Sequence, residues 1–450
     1  SLLIEEKELI ESAHTVYGQV ISTPTLFHQE NTLASEAKRL IEAKLPSKVA
    51  IQATHLSGLS EAQQLALNQL VKHPFVLLTG GPGTGKSTIT ARLIRFLEAL
   101  DTNLAVVAPT GKAAKRLQEL TRFPAKTIHS LLQLDPRTGY FKFGAKNQLD
   151  CEWLIVDEVS MLDVALGQAL FQAIKTGCRV ILVGDPDQLP SVGPGHVLRD
   201  LLLCQDVVHV FLEEIFRQAA GSQIIQTAHA IKEGAMPSLE NQPDSDLFFM
   251  EHEEPESILS TIVGLVKERL PKAYGLNPLS DIQVLTPQHR GPIGTQMLNK
   301  HLQHALKGTP LSDGDERPDF VVGDKVIQLS NNYDKEVFNG DIGVIDAINT
   351  DEKTLEVLID GRVVSYESSE RDDLALAYAI TIHKYQGSEA PCIIMPVASS
   401  HFQMLSRNLY YTGVTRGKRL VVLVGQKKAL WIATQKATAT DRQTRLQGLF

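Results

Sequence analysis

Residues 80–87, which read GGPGTGKS, constrain the fold of this chain more than any other stretch. They fit the pattern G-x-x-x-x-G-K-[ST], follow the apolar run PFVLLTG (74–80) and precede the helix-like stretch TITARLIRFLEAL (88–100). A strand, a glycine-rich turn and a helix in this order form a loop whose backbone N–H groups hold phosphates, helped by the helix dipole. A glycine-rich turn without a ligand is the alternative. The pattern favours an α/β fold that binds a nucleotide.

The residues expected to contact the nucleotide in this stretch are Gly81, Pro82, Gly83, Thr84, Gly85, Lys86, Ser87 and Thr88. Lys86 would reach the β- and γ-phosphates of ATP, and Ser87 would hold Mg²⁺. A second apolar run, LIVDE (154–158), ends in Asp157 and Glu158. We expect Asp157 to hold Mg²⁺ through water, and Glu158 to orient and deprotonate the attacking water. An ordinary acidic strand end is the alternative. Together the two motifs predict an NTPase, and leave kinases, switches, transporters and motors open.

Short apolar runs alternate with helix-like segments along the chain, as strands buried on both faces of a parallel sheet do. They lie at 74–80, 104–110, 153–158 and 179–185, and again at 282–288, 391–397 and 419–425. At 450 residues the chain is too long for one ordinary core, so we predict two α/β domains, the first ending near residue 220. Residues 319–368 read instead as short strands with turn signals such as Asp360-Gly361, which indicates a small inserted β-barrel.

Composition narrows the classes of protein and of partner. The net charge of −8 excludes binding to nucleic acid through bulk charge, so a nucleic-acid site would need a local basic track. No apolar run approaches the roughly 18 residues of a membrane helix, and residues 1–14 lack the layout of a signal peptide. The four cysteines are scattered without a C-x-x-C pair. We therefore expect no membrane partner, no zinc site and a reducing cytoplasm.

Five further stretches resemble motifs of one family, the RecD-like superfamily 1 DNA helicases. They are GDPDQLPSVGPG (184–195, motif III), LEEIFRQ (212–218, motif IV), TIHKYQGSE (381–389, motif V), YTGVTRG (411–417, motif VI) and NNYDKEVFNGD (331–341). The form QLPSVGxG is typical of RecD-like enzymes. The last stretch resembles the stand-alone bacterial enzymes more than the subunit of the three-chain exonuclease V complex. The chain is therefore identified as a member of this family over residues 59–425.

The resemblance implies an α/β fold with two RecA-like parallel-sheet motor domains, a β-hairpin insert in the first and a small SH3-like β-barrel insert in the second. The expected parts are an N-terminal region of unknown role (1–57), domain 1A (58–220) with its hairpin (134–148), domain 2A (221–318 and 371–450) and barrel 2B (319–370). From the residues alone, the N-terminal region reads as a strand pair followed by the helix ASEAKRLIEAKL (34–45).

The resemblance also extends the nucleotide site. The added residues are Gln63, Gln188, Phe216, Arg217, Gly387, Glu389 and Arg416. Gln63 would read the adenine edge, because an amide both donates and accepts, and Phe216 would stack on the base. Gln188 would sense the γ-phosphate and pass that state toward the DNA. Arg217 and Arg416 resemble arginine fingers that stabilise the transition state. A surface amide, a packed ring and a salt-bridged arginine are the respective alternatives.

A single-stranded DNA track is implied by motifs Ia (108–116) and Ib (127–130) and by the matching strand ends of the second domain. The residues expected to contact nucleic acid are Thr110, Gly111, Lys112, His129, Thr286, Pro287, His289, Asn339, Thr381 and His383. Such contacts would go to the backbone, because a translocating motor must pass every base equally. A packed or solvated side chain is the alternative for each histidine.

The hairpin at 134–148 occupies the place of a strand-separating pin in RecD-like enzymes. Tyr140, Phe141 and Phe143 could stack on the last base pair, or their rings could pack against the domain. Three rival readings of the chain remain: a UvrD-like motor of opposite direction, a non-motor NTPase and a nuclease. The motif III form opposes the first, two arginine fingers oppose the second, and the lack of a D…E-x-K constellation opposes the third.

The sequence thus predicts an ATP-dependent DNA helicase that moves 5′→3′ on single strands and unwinds duplex DNA in repair or recombination. ATP and Mg²⁺ are the expected cofactors, and single-stranded DNA and duplex junctions the expected partners. We expect a monomer in the bacterial cytoplasm. The N-terminal extension typical of stand-alone relatives is not found in residues 1–57, which leaves open a protein partner or a region upstream.

Overall fold

The computed structural model describes residues 8–14, 18–46, 49–214, 221–311, 319–332, 334–437 and 442–449. The chain forms two compact units. The first comprises the described residues within 1–217 and 440–450, and the second those within 218–439.

The first unit contains a six-stranded parallel sheet and a two-stranded antiparallel sheet. Its strands are β1 (Ile10–His14), β2 (Gly18–Ser22), β3 (Phe75–Gly80), β4 (Leu104–Ala108), β5 (Lys126–Thr127), β6 (Trp153–Val156), β7 (Arg179–Gly184) and β8 (Val208–Leu212). Its helices are α1 (Pro24–Ile41), α2 (Ala53–Leu56), α3 (Glu61–Lys72), α4 (Lys86–Ala99), α5 (Gly111–Thr121), α6 (Ile128–Leu132), α7 (Val164–Ala173) and α8 (Val197–Leu203), with a 3-10 turn at Val159–Met161.

Six strands form this sheet in the order β5-β4-β6-β7-β3-β8, with every pairing parallel. All six residues of β3 and all six of β7 are buried, because helices cover both faces of the sheet. The four apolar runs predicted as strands in this unit are confirmed. The edge strand β8 was not predicted, because it buries only alternate residues and so lacks a continuous apolar run.

The N-terminal region belongs to the first unit. Strands β1 and β2 pair antiparallel, and helix α1 follows, so the predicted strand pair and helix are confirmed. The helix begins at Pro24, ten residues before the predicted start, where Thr23 caps it by accepting a hydrogen bond from Leu26 N. Leu33 and Leu40 of α1 are fully buried in the core that also contains β6 and α7.

The second unit contains one parallel and one antiparallel sheet. Its strands are β9 (Leu247–Glu251), β10 (Ile282–Thr286), β11 (Lys325–Gln328), β12 (Ile342–Asn349), β13 (Thr354–Ile359), β14 (Arg362–Glu367), β15 (Leu374–Leu376), β16 (Ala379–Thr381), β17 (Ala390–Val397) and β18 (Gly417–Gly425). Its helices are α9 (Gln223–Glu233), α10 (Pro255–Gly264), a π-helical turn (Leu265–Arg269), α11 (Leu270–Tyr274), α12 (Thr295–Lys307), α13 (Arg407–Val414) and α14 (Lys427–Gln435). The last helix of the chain, α15 (Leu446–Leu449), lies in the first unit.

The parallel sheet has the order β16-β10-β17-β18-β9. Its three strands predicted from apolar runs, β10, β17 and β18, are confirmed, and β9 and β16, which none of those runs covers, are edge strands. Between β10 and β16 the chain forms the antiparallel sheet β14-β13-β12-β11-β15. Asp360 and Gly361 join β13 to β14 with φ of 52° and 76°, the two left-handed positions that the primed hairpin turn requires.

The antiparallel sheet agrees with the predicted small all-β insert. Its strands follow an open order with β14 and β15 at the two edges. Its last strand, β15, lies beyond the expected limit at residue 370, because Val326 and Ile327 of β11 pair with Leu376 and Ala375. The fold class of two parallel-sheet units with an inserted β-structure is therefore confirmed.

The stretch 134–148, predicted as a hairpin, forms a compact double turn with antiparallel bridges. Single antiparallel bridges join Leu134 to Phe141 and Gly144 to Asn147. Phe141 and Phe143 pack against the core of the first unit, whereas the Tyr140 side chain is 78% exposed. The packing alternative therefore holds for the two phenylalanines, and Tyr140 alone of the three remains available for stacking.

Candidate active site

The phosphate loop connects β3 to α4 at the carboxyl edge of the first sheet. Thr84 Oγ1 donates to the Gly81 carbonyl over 2.9 Å and closes the turn, while the Lys86 ammonium donates to the carbonyls of Gly80 and Gly81, the latter over 2.9 Å. Ser87 and Thr88 are exposed in the first turn of α4. The amine of Lys86 is thus held over the loop, where phosphate oxygens would replace the carbonyls as its acceptors.

Two glycines allow this turn to reach the helix. Gly85 caps α4 with φ of 86°, and Gly83 has φ of 75°, so both occupy the left-handed region in which a side chain is strained. The cap residue carries no side chain, so α4 begins with N–H groups at its exposed end that can donate to an anion. Local backbone geometry therefore supports the predicted phosphate contacts.

Asp157 and Glu158 follow β6, one strand of the sheet between β4 and β7. Burial, and next the Glu158 carboxylate, raise the pKa of Asp157 to about 6; the Glu158 N–H, Arg116 and Lys86 act in the lowering direction. Glu158 has φ of 53°, and its carboxylate lies 3.8 Å from the Arg116 guanidinium. The two acids therefore lie near two cations of the same unit, Arg116 and Lys86.

The oxygen donors here suit Mg²⁺. A buried carboxylate whose pKa is raised by a second carboxylate is a site where a divalent cation would relieve repulsion. Asp157 and the exposed hydroxyl of Ser87 supply the hard oxygen ligands that Mg²⁺ takes in small number when phosphates and water complete its shell. The bound ion would neutralise developing charge on the phosphates. Asp157 and Ser87 thus fit the metal that the motif implies.

Gln188 lies three residues after the buried Asp185, which begins the turn after β7. Its Nε2 is 3.5 Å from Asp185 Oδ2, and its backbone N–H donates to the Asp185 carbonyl. Asp185 also accepts from Asp187 N through Oδ1. The predicted γ-phosphate sensor is thus attached to a buried carboxylate that sequence reasoning did not single out, although it stands in the quoted motif.

Gln63 belongs to a capping box at the start of α3. Its Oε1 accepts from Ser60 N, and Ser60 Oγ accepts from Gln63 N. The residue is 4% exposed. The capping box uses one end of the amide, and the Nε2 group is the end that would donate to an adenine.

The remaining nucleotide residues lie in the second unit or outside the described residues. Arg416 is 2% exposed and follows α13, where its Nε donates to the Thr412 carbonyl. Gly387 is buried with φ of 73°, and Glu389 pairs with Lys418 over 3.2 Å. Phe216 and Arg217 lie outside the described residues, so their predicted roles stay predictions.

The predicted DNA residues of the first unit lie at helix starts. Thr110 caps α5 by accepting from Ala113 N, and Gly111 and Lys112 form the first turn of that helix. His129, in the first turn of α6, lies with its ring centroid 5.8 Å from that of Phe141. Burial lowers the pKa of His129, so the neutral ring is favoured at neutral pH.

The second unit places its predicted DNA residues after β10 and β16. Thr286 and Pro287 are buried, and Thr286 Oγ1 donates to the Ile293 carbonyl, so these two residues shape the turn. His289 is exposed and contacts Thr295 Oγ1 through Nδ1 over 2.5 Å, and Thr381 is half-buried.

His383 and Asn339 are two further predicted DNA contacts in this unit. Thr381 Oγ1 accepts from Lys384 N, the residue after His383 in a 3-10 turn. Asn339 is exposed, with its N–H held by Asn331 Oδ1. A cavity of about 430 Å³ in this unit is lined by His289, Thr295 and Thr381 together with apolar residues of the antiparallel sheet. Thr286 and Pro287 thus shape the turn after β10, and His289 and Asn339 are the exposed members of the predicted set in this unit.

Arg116 is a candidate that the sequence reading placed only on the DNA track. It stands in motif Ia, on α5, and its guanidinium lies beside Glu158. This contact depends on tertiary packing, so the sequence carried no local signal for it. Among the described residues no helix is long and apolar enough to cross a membrane.

Three protein-family models match this chain. They are described as an AAA domain over residues 63–194, the SH3 domain of ATP-dependent RecD-like DNA helicases over 298–358, and the C-terminal domain of UvrD-like helicases over 376–424. The first covers the phosphate loop and the Asp157–Glu158 strand end, the second most of the antiparallel sheet, and the third the motif V stretch and Arg416.

Relatives extend the match to nearly the whole chain. The chain is 37% identical over 97% of its length to the ATP-dependent RecD2 DNA helicase of Deinococcus radiodurans, and spans 58% of that protein. It is 30% identical over 96% of its length to the RecBCD enzyme subunit RecD of Mycolicibacterium smegmatis, of which it spans 83%. A crystal structure of Pif1 helicase from Bacteroides with ADP-AlF3 and ssDNA matches 81% of this chain and 92% of that one, at 20% identity and a TM-score of 0.49.

Proposed function

The chain belongs to the RecD-like family of superfamily 1 DNA helicases, and we propose that it is an ATP-driven motor moving 5′→3′ on single-stranded DNA. It would unwind duplex DNA ahead of it, in repair or recombination. The observation that carries the proposal is the phosphate loop: Lys86 is held over a glycine turn after β3, and Asp157 and Glu158 follow β6, which only β7 separates from β3 in the sheet. The second parallel sheet, with Arg416 directly before β18, supports a motor over a single-domain NTPase.

In the proposed nucleotide site, ATP binds with its phosphates on residues 81–88 and with Mg²⁺ on Ser87 and Asp157. Glu158 orients and deprotonates the attacking water, because its carboxylate stands beside Asp157 at the carboxyl edge. Arg217 and Arg416 supply charge to the transition state, and Gln188 senses the γ-phosphate. Gln63 and Phe216 hold the base, and Gly387 and Glu389 complete the site.

In the proposed DNA track, the strand contacts Thr110, Gly111, Lys112 and His129 of the first unit. The second unit contributes Thr286, Pro287, His289, Asn339, Thr381 and His383. Apart from Asn339, which lies in a turn, these residues lie at helix starts and strand ends, where backbone amides and short polar side chains would meet phosphates without reading bases. A local track of this kind suits a chain of net charge −8. We propose that the protein acts as a monomer in the cytoplasm, on single strands and duplex junctions.

Matched duplexes with a 5′ or a 3′ single-stranded tail, ATP and Mg²⁺ test the proposal. The 5′-tailed substrate should release its strand, and the 3′-tailed one should not. Release from the 3′ tail alone contradicts the direction, which rests on the RecD-like form of 184–195. ATP turnover that single-stranded DNA fails to stimulate contradicts the motor itself. Stimulated turnover without strand release would point to a required partner or a region upstream of residue 1.

A further inference from the structure

The loop 188–196, which carries Gln188, is held in place by a residue from the other end of the sequence. The Arg442 guanidinium donates through one nitrogen to the Gly193 carbonyl over 2.7 Å and to the Gly195 carbonyl over 3.3 Å. Ser191 Oγ donates to the same Gly193 carbonyl over 3.1 Å. One cation therefore fixes the carbonyls of Gly193 and Gly195.

The opposite side of the loop rests on the start of α7. Val164 N donates to the Pro194 carbonyl over 3.1 Å. A Cβ on Gly193 would overlap the Asp163 carboxylate, and one on Gly195, where φ is 97°, would overlap Val164 Cγ2. Asp163 caps α7 by accepting from Leu166 N. The loop is thus clamped between the segment that follows the Asp157–Glu158 turn and the Arg442 guanidinium.

Arg442 is itself anchored, because residues 442–449 are packed into the first unit. Thr444 Oγ1 donates to the buried Asp200 over 2.7 Å, and Arg445 N donates to the buried Glu30 over 3.1 Å. The Arg445 guanidinium lies 3.9 Å from the centre of the Phe27 ring, and Leu446 is fully buried. A flexible arginine on a mobile tail would hold a loop poorly, whereas this one extends from a fixed segment.

The tip of the clamped loop, Val192, is apolar and exposed. Val192, between Ser191 and Gly193, is 84% exposed, while Leu189 is 5% exposed and Ser191 4%. The loop therefore has a buried half that includes the attachment of Gln188 to Asp185, and an exposed tip beyond it. A loop held at two points transmits a displacement at one end to the other, whereas a loose one absorbs it.

We propose that Arg442 is a positioning residue for DNA-stimulated ATP turnover: it fixes the loop 188–196 so that Gln188 and the exposed tip move together. The proposal rests on the proposed motor function. The order of the chain also supports this role. The chain enters the second unit after Arg217 and leaves it before Thr440. The anchored segment 442–449 therefore follows the second unit directly in sequence. Arg442 touches neither nucleotide nor DNA in this role.

Three variants test the clamp: Arg442→Ala, Arg442→Lys and Gln443→Ala, the last a matched control on the exposed neighbouring side chain. Hydrogen–deuterium exchange of the peptide covering 188–196 measures the loop directly. Arg442→Ala should speed exchange there, Gln443→Ala should not, and Arg442→Lys should be intermediate, because an ammonium still donates but is less pre-organised. Equal exchange in all three overturns the clamp.

ATP turnover with saturating oligo-dT measures the effect of the Arg442 clamp on catalysis. Arg442→Ala should lower the DNA-stimulated kcat about tenfold, the loss of roughly 1.4 kcal/mol expected from charge-assisted hydrogen bonds to the loop. The KM for ATP should change less than about twofold, since no nucleotide contact is removed. A loosened loop with unchanged stimulated kcat overturns the positioning role. Should the wild type show no stimulation by DNA, the motor proposal fails, and the exchange contrast still decides the clamp.

If Arg442→Ala lowers the melting temperature of the first unit, the Lys variant carries the test. It retains the charge and most of the packing, so a stimulated kcat between those of wild type and Ala supports positioning. Wild-type turnover in the Lys variant together with fast loop exchange would overturn it.

Discussion

The carboxyl edges of the two parallel sheets carry turns of different chemistry. In the first unit β3 runs into the glycine turn at 81–85, whose carbonyls accept from Thr84 and Lys86. In the second unit β10 runs into Pro287 and a turn whose amides are already engaged: Thr295 N donates to Gln288 O and Gly294 N to Gly291 O. Both strands then lead into a helix, α4 and α12 respectively.

The difference shows that the turn after the strand, rather than the sheet, sets the chemistry. Both helices begin after a glycine, Gly85 and Gly294, so the cap residue does not separate them. At the start of α12, however, the amides of Thr295 and Gln296 already donate to carbonyls of the turn, so this edge offers the side chains of His289 and Thr295 instead. This difference supports the proposal that ATP phosphates bind at the first edge and a nucleic-acid backbone at the second.

The largest expected effect is at the first edge. Lys86→Ala should reduce ATP turnover by at least about a thousandfold, because it removes the cation that neutralises phosphate charge. The fold should persist, since the loop is held by its glycines and by Thr84. Steady-state ATP hydrolysis and the melting temperature measure the two properties. Lys427→Ala, on a surface pair with Glu251, is the control and should change neither. Substantial turnover in a folded Lys86→Ala protein refutes the phosphate-loop assignment.

The next effect tests whether the second unit contributes to catalysis. Arg416→Ala should lower kcat by about a hundredfold or more and change the KM for ATP far less, because a finger acts mainly in the transition state. Arg416→Lys should not restore kcat, since an ammonium lacks the guanidinium fork. Circular dichroism checks the fold, which is a necessary control because Arg416 is 2% exposed and bonds Thr412 O. Normal turnover in the folded Ala variant removes the second unit from the ATP site.

A smaller effect separates the double turn at 134–148 from the core below it. Tyr140→Ala should slow strand separation several-fold and spare translocation and ATP turnover, because the ring is 78% exposed and its loss costs little packing. Phe141→Ala should instead lower the free energy of unfolding by about 2 kcal/mol, since its ring packs on the core. Paired unwinding, translocation and denaturant-melting assays measure this contrast. Unwinding at the wild-type rate in Tyr140→Ala would show that the turn is structural only.

The sequence alone predicted the central strands because residues buried on both faces leave a continuous apolar run, as in β3 and β7. It missed the edge strands β8 and β9, which bury alternate residues. It also predicted the phosphate loop, since that chemistry lies in consecutive residues. Contacts between distant residues had no such signal: Arg442 on Gly193, separated by 249 positions, and Arg116 beside Glu158 depend on tertiary packing.

The smallest expected effect compares a buried aspartate in each unit. Burial, and next Glu30, raise the pKa of Asp200 to about 7, with Thr444 and Arg199 acting in the opposite direction. Burial also raises the pKa of Asp324, which accepts from Val321 N, Gln303 and Tyr378. The first acid sits where its charge is poorly solvated. The second is surrounded by donors.

The sign of the pH effect follows from the raised pKa of Asp200. Below about pH 4, the ordinary pKa of an aspartate, both folded and unfolded chains hold the proton. As pH rises toward 7 the unfolded chain gives up the proton and the folded chain keeps it, so this group lowers the free energy of unfolding progressively. Above pH 7 the loss is complete. Asp200→Asn removes the titration and keeps an oxygen to accept from Thr444.

Between about pH 5 and pH 8, the unfolding free energy of Asp200→Asn should therefore gain on wild type by about 2 kcal/mol. Asp324→Asn is the matched variant in the second unit and should be less stable than wild type at both pH values by about 1–3 kcal/mol. Its carboxylate accepts from Gln303 and Val321 through one oxygen and from Tyr378 through the other, and an amide nitrogen can replace neither. Denaturant titrations at the two pH values measure both differences. A pH-independent difference for Asp200→Asn would mean that its carboxyl is ionised in the folded chain, and that the segment 442–449 docks against a charge rather than an acid.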